Sequence, residues 1–130
     1  MSTTTAKSTK STNDLQEKAN SFAKSYLRHF GVEVIEEDYK CKAGTIPFII
    51  SGNGLLGFIE AVTINKADGG FPDVPVLPKS REAYEQIAAT FLSGYDGSSV
   101  QVRFDVISII VVDKNEASLK YYGDVFDCCN

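Results

Sequence analysis

TIPFIISGNGLLGFIEAVTI, residues Thr45–Ile64, is the stretch on which the fold turns. Thr45 to Ser51 is dense in β-branched and aromatic side chains, the residue types that suit a pleated, half-buried surface. Asn53-Gly54 is the pair that a two-residue hairpin turn asks for, because both of its central positions need positive φ. Leu56 to Ile64 then returns as the partner strand, and the spacing predicts an antiparallel hairpin with a mostly apolar surround.

Outward on the N-terminal side, Val32, Val34 and Ile35, followed by Tyr39 and Cys41, stand among Glu33, Glu36, Glu37, Asp38 and Lys40, which reads as an extended segment with one buried side. Its acids lack the Asp-x-Asp-x-Asp-Gly spacing that wraps calcium, so a solvated edge is expected. Before it, Leu15, Ala19, Phe22, Ala23, Tyr26, Leu27 and Phe30 recur mostly at helical steps. Asn13 or Asp14 is the expected cap, and Gly31 the expected stop.

Outward on the other side, Asn65 to Pro78 contains Gly69, Gly70, Pro72, Pro75 and Pro78 and reads as a long loop. Ser80 is placed to cap a second helix with the apolar stripe Ala83, Tyr84, Ile87, Ala88, Phe91 and Leu92, ended by Gly94. Val100 to Asp113 becomes nearly continuously apolar, as a central strand covered on both faces does. Leu119 to Phe126 is a weaker final extended piece. The order is α-β-β-β-α-β-β, an α/β class in which helices cover a mixed central sheet.

The 130 residues suit one domain, and 43% hydrophobic side chains suffice for a core. Apolar runs such as Ile46–Ile50 fall far short of the roughly 18 residues a membrane span requires, so no membrane partner is expected. Met1 to Thr12, rich in Ser and Thr, is read as a disordered tail without a secretory or mitochondrial signal, leaving residues 13–127 as the domain. Lys7 and Lys10 are that tail's only charged side chains; removing them from the net −4 leaves −6 on the remainder, which disfavours polyanions. Cys41, Cys128 and Cys129 make an odd set without an export signal, pointing to reduced thiols in a cytosol. His29 alone cannot build a histidine metal cluster, and its place in the last helical turn suits the dipole there.

Three stretches carry a family resemblance. Tyr39-Lys40-Cys41-Lys42 leading into Gly44-Thr45-Ile46-Pro47-Phe48-Ile49, then Phe58-Ile59-Glu60-Ala61-Val62-Thr63, then Arg103-Phe104-Asp105-Val106, resemble the YraN family of small bacterial proteins with a restriction-endonuclease-like fold. The resemblance spans roughly residues 14 to 127 in order and spacing. It implies the motifs G-E-I-D and E-V-K, in which one acid from each of the two strands holds Mg²⁺ against a phosphodiester while the lysine helps the attacking water. This chain departs from them: Thr45 and Pro47 stand at the first two acid positions, Val62 at the lysine, and Asn20 at an acid of the first helix. Only Glu60 survives, as a vestigial site position.

A proline cannot ligate through its side chain and a valine cannot orient water, so catalysis, metal and cofactor are expected to be absent. The implied function is a non-catalytic nucleic-acid or protein binding domain, with Lys79, Arg81 and Lys42 as candidate phosphate contacts. One rival is an active Mg²⁺-dependent endonuclease in which Lys66 or Lys42 and Asp105 or Asp38 replace the lost groups. The other is a structural module that pairs with a protein partner or with a second copy. Arg103 and Asp105, two apart on one strand, are expected to form an ion pair that holds the sheet.

Overall fold

The computed structural model describes residues 2–66, 69–95 and 99–126, with side chains from Asp14 onward. Seven elements follow in the expected order: α1 (Ser2–His29), β1 (Glu33–Cys41), β2 (Gly44–Gly52), β3 (Leu55–Thr63), α2 (Arg81–Ser93), β4 (Gln101–Asp113) and β5 (Glu116–Tyr122). The strands form one sheet in the order β1-β2-β3-β4-β5, in which only β3 and β4 run parallel, joined by the crossover through α2. Antiparallel neighbours need short turns, whereas the parallel pair needs the long connection that the Asn65–Pro78 loop and α2 supply.

The central hairpin forms as its turn chemistry requires. Gly52 pairs with Leu55, and between them Asn53 and Gly54 sit at φ 52° and 75°, the two positive values of a type I′ turn. Gly31 ends α1 at φ 75°, donating its N–H to the Arg28 carbonyl. Ser80 caps α2 by accepting from the Ala83 N–H at 3.1 Å.

The helices cover opposite faces of the sheet. On one, Ala19, Ala23 and Leu27 of α1 pack on Phe48, Ile59 and Ile107; on the other, Tyr84, Ile87 and Ala88 of α2 pack on Ile46, Ile49 and Phe58. Ala19 and Ala23 have no exposed surface, so the small side chains bring the α1 backbone close to the strands. β4 is an interior strand between β3 and β5, buried from Asp105 through Ile110 as expected of one covered on both faces.

Three details depart from the sequence reading. Helix α1 begins at Ser2, so Asn13 and Asp14 lie inside it; no glycine or proline interrupts Ser2–His29. Side chains of the expected Met1–Thr12 tail, and all of Cys128 and Cys129, lie outside the described residues. The last strand is Glu116–Tyr122 instead of Leu119–Phe126, ending where Gly123 is followed by Asp124 at φ 55°. Leu15 and Phe30, which share the helical spacing of the apolar residues of α1, are exposed, Phe30 at 64%.

Candidate functional site: a carboxylate closed by lysine and tyrosine

Glu60 is the residue from which the site is built. In β3, Ile59 and Ala61 belong to the α1-side core, so alternation sends Glu60 to the α2 side with Phe58. The β2–β3 ladder ends at Phe48–Ile59, so Glu60 lies just past the point where the strands part. Its side chain is 8% exposed, and a carboxylate this deep needs partners.

Two partners arrive from the far side of the loop. Lys79 Nζ donates to Glu60 Oε1 at 2.9 Å, and the Tyr84 hydroxyl donates to the same oxygen at 2.9 Å. Both flank the Ser80 cap, so the geometry that starts α2 also delivers an amine and a phenol to one acid. The ammonium also stands 5.5 Å from the Tyr84 ring centre. Burial first, and the Glu60 charge second, raise the Tyr84 pKa above its ordinary value, so the phenol stays a donor.

Gly44 makes room for this arrangement. A Cβ there would stand 3.1 Å from Lys79 Cε, and φ is +141°, so both the lysine's path and the backbone favour glycine.

Of the other positions implied by the resemblance, Val62 alternates onto the face of Glu60, whereas Pro47 and Asn20 lie away from it. Across Asp38 and Pro47, strands β1 and β2 change faces together: Glu37 and Phe48 lie on the α1 side, Tyr39 and Ile46 on the α2 side. Asp38 sits opposite Pro47 at φ 51°, and proline brings no N–H to the ladder. Pro47 and Asn20 line a shallow hollow on the α1 side with Lys24, Glu37 and Asp38. Alternation through β4 places Asp105, with Ile107, also on that side, where Arg103, Tyr121 and the Asp124 N–H hold it.

The expected Arg103–Asp105 ion pair is present, with Arg103 Nη2 3.0 Å from Asp105 Oδ2. Lys42 and Lys66 are exposed, and the ion-pair partner of Glu60 is Lys79 instead. Arg81, also exposed, pairs with Glu85 at 3.1 Å and lies 5.1 Å from the Phe126 ring centre. Of the three candidate phosphate contacts, Lys79 thus has its ammonium on Glu60, while Lys42 and Arg81 reach solvent. Sequence reasoning did not find the roles of Lys79 and Tyr84, because nothing local ties either to Glu60.

The donor set does not fit the Mg²⁺ that the resemblance implies. A hard dication takes several oxygen ligands, whereas Glu60 is a single carboxylate already facing an ammonium. Among the described residues, no group of three or more His, Cys, Asp or Glu could hold a metal. Nor, among them, is any helix long and apolar enough to cross a membrane.

Comparison with known proteins gives this geometry a family. Residues 19–109 match the model of uncharacterised protein family UPF0102. A UPF0102 protein of Geotalea daltonii is 27% identical over 113 residues, covering 87% of this chain and 89% of the relative. One from Chlorobaculum parvum is 30% identical over 100 residues, covering 77% and 78%. One from Pelobacter propionicus is 29% identical over 107 residues, covering 81% and 76%. The match covers β1 to β3, α2 and most of β4, including Glu60, Lys79 and Tyr84, and so the chain belongs to the UPF0102 family, the YraN family of the sequence resemblance.

Proposed function

We propose that this chain is a non-catalytic domain that keeps an endonuclease-like scaffold and acts by binding. The observation that carries the reading is the closure of Glu60: its Oε1 accepts from Lys79 and Tyr84, and the side chain is almost sealed from solvent. A carboxylate in that state neither gathers a hydrated cation nor takes a proton from water, because the ammonium already supplies the opposing charge. The separation of Asn20 and Pro47 onto the other side supports the same conclusion.

Binding through a phosphate backbone is the weaker form of this reading. The chain carries −4 overall, and one of its three candidate phosphate contacts is committed to Glu60. We therefore favour a protein or small-molecule partner, in the cytosol to which the odd cysteine set points.

The test is cleavage of branched, nicked and single-stranded DNA with Mg²⁺ or Mn²⁺. The expected result is no cleavage above the level of Glu60→Ala. Robust cleavage that Glu60→Ala abolishes would overturn the proposal and restore the relocated-ligand nuclease.

A further inference from the structure

The α1 side of the sheet carries an open cleft of about 550 Å³, at the end where α1 finishes and the β2–β3 hairpin turns. That volume lies within the roughly 300–1,000 Å³ typical of sites for small organic ligands. Tyr26 and Tyr121 form one wall, with rings nearly parallel and centres 5.9 Å apart, and Phe30 extends it, 4.8 Å from Tyr26. Asn53 and Gln101 add polar groups, and Arg103 also lines the cleft.

Two features give the occupant its chemistry. Among the described residues the lining contains one cation and no carboxylate, in a chain with 17 Asp and Glu. Arg103 commits Nε and Nη2 to Asp105, whose side chain is fully buried, yet a third of the arginine side chain stays exposed. A guanidinium has five N–H donors in a planar fork, so one edge can be fixed by Asp105 while the other meets an acceptor. Tyr121 and the Asp124 N–H also bond Asp105, so the carboxylate does not depend on Arg103 alone.

We infer that this cleft binds a small organic anion with a flat apolar body, which stacks against Tyr26 and Phe30 while its carboxylate or phosphate meets the solvent-exposed part of the Arg103 guanidinium. Tyrosine and phenylalanine faces suit such a body, and in a half-buried site one charge-assisted bond separates the anion from its neutral analogue. The inference goes beyond the closure of Glu60, which lies on the opposite face; either can fail without the other.

The probe is 2-naphthoate, with neutral 2-naphthamide as its control, titrated into the full chain and followed by amide ¹H–¹⁵N shifts. Saturable shifts are expected at Phe30, Asn53, Gln101 and Tyr121, with naphthoate about tenfold tighter than naphthamide. Phe30→Ala changes an exposed side chain and is expected to keep the fold while weakening both probes severalfold. Arg103→Lys retains a cation for Asp105 but loses the fork, and is expected to remove most of the preference for naphthoate. Absence of saturable shifts, equal affinity for the two probes, or shifts unaffected by Phe30→Ala would overturn the inference. So would a concentration-dependent dimer in sedimentation that Phe30→Ala disperses, because the cleft would then be occupied by a second copy.

Discussion

Each face of the sheet carries a buried carboxylate held by one cation and one tyrosine hydroxyl, yet the two are assembled differently. Asp105 takes Arg103 from two residues away on its own strand and Tyr121 from the neighbouring strand. Glu60 takes Lys79 and Tyr84 from the start of α2, 19 and 24 residues later. The first pair opens onto a cleft through a partly exposed arginine; the second is shut beneath a helix. Similar partners therefore leave one charge at the edge of a cleft and enclose the other under a helix.

The largest expected effect is on the Asp105 side. Asp105→Ala strips partners from Arg103, the Tyr121 hydroxyl and the Asp124 N–H together, and should cost about 3 kcal/mol in urea unfolding. Loss below about 1 kcal/mol would show that water replaces these bonds and would break the parallel between the two sites.

Lys79→Met should cost about 2 kcal/mol, less than a fully buried pair because the lysine is 21% exposed. Adding Glu60→Leu should recover most of it, since removing both ions together leaves no buried charge unpaired. If the double variant is no more stable than Lys79→Met, Glu60 is not the carboxylate that depends on this lysine.

Gly44→Ala is expected to cost about 1 kcal/mol, through φ +141° and the Lys79 stem lying over it. In the Lys79→Ala background part of that cost should vanish, which sharpens the link between the glycine and the lysine.

The smallest effect is a pH dependence. Both Tyr84 and Tyr121 have pKa values raised above 10.0, chiefly by burial and then by their carboxylates. A raised value favours the protonated phenol in the folded chain, so this stability is fully present below pH 10 and declines above it. Over the half unit above about pH 10 the decline should stay below about 1 kcal/mol. Tyr84→Phe and Tyr121→Phe should each reduce its slope.

Local chemistry made much of this legible in the sequence. Asn53-Gly54 dictates the hairpin through positive φ, Ser80 and Gly31 mark helix ends through capping, and Arg103 with Asp105 follows from strand alternation. What depends on tertiary geometry was hidden. Tyr84 reads as one more member of an apolar stripe, and only the fold shows its hydroxyl on Glu60. Pro47 in a paired strand was the available warning that the two-residue alternation fails there, and the change of faces at Asp38–Pro47 is its consequence. Phe30 follows the helical period of the buried stripe but ends up exposed at the rim of the cleft, because the helix ends beside it at Gly31.

Calorimetric titration of Mn²⁺ into the full chain tests the closed carboxylate most directly. No saturable heat is expected up to millimolar metal, with the same flat trace for Glu60→Gln. Saturable binding in the wild-type chain that Glu60→Gln removes would mean that Lys79 yields its place to a cation and that the carboxylate is open to metal.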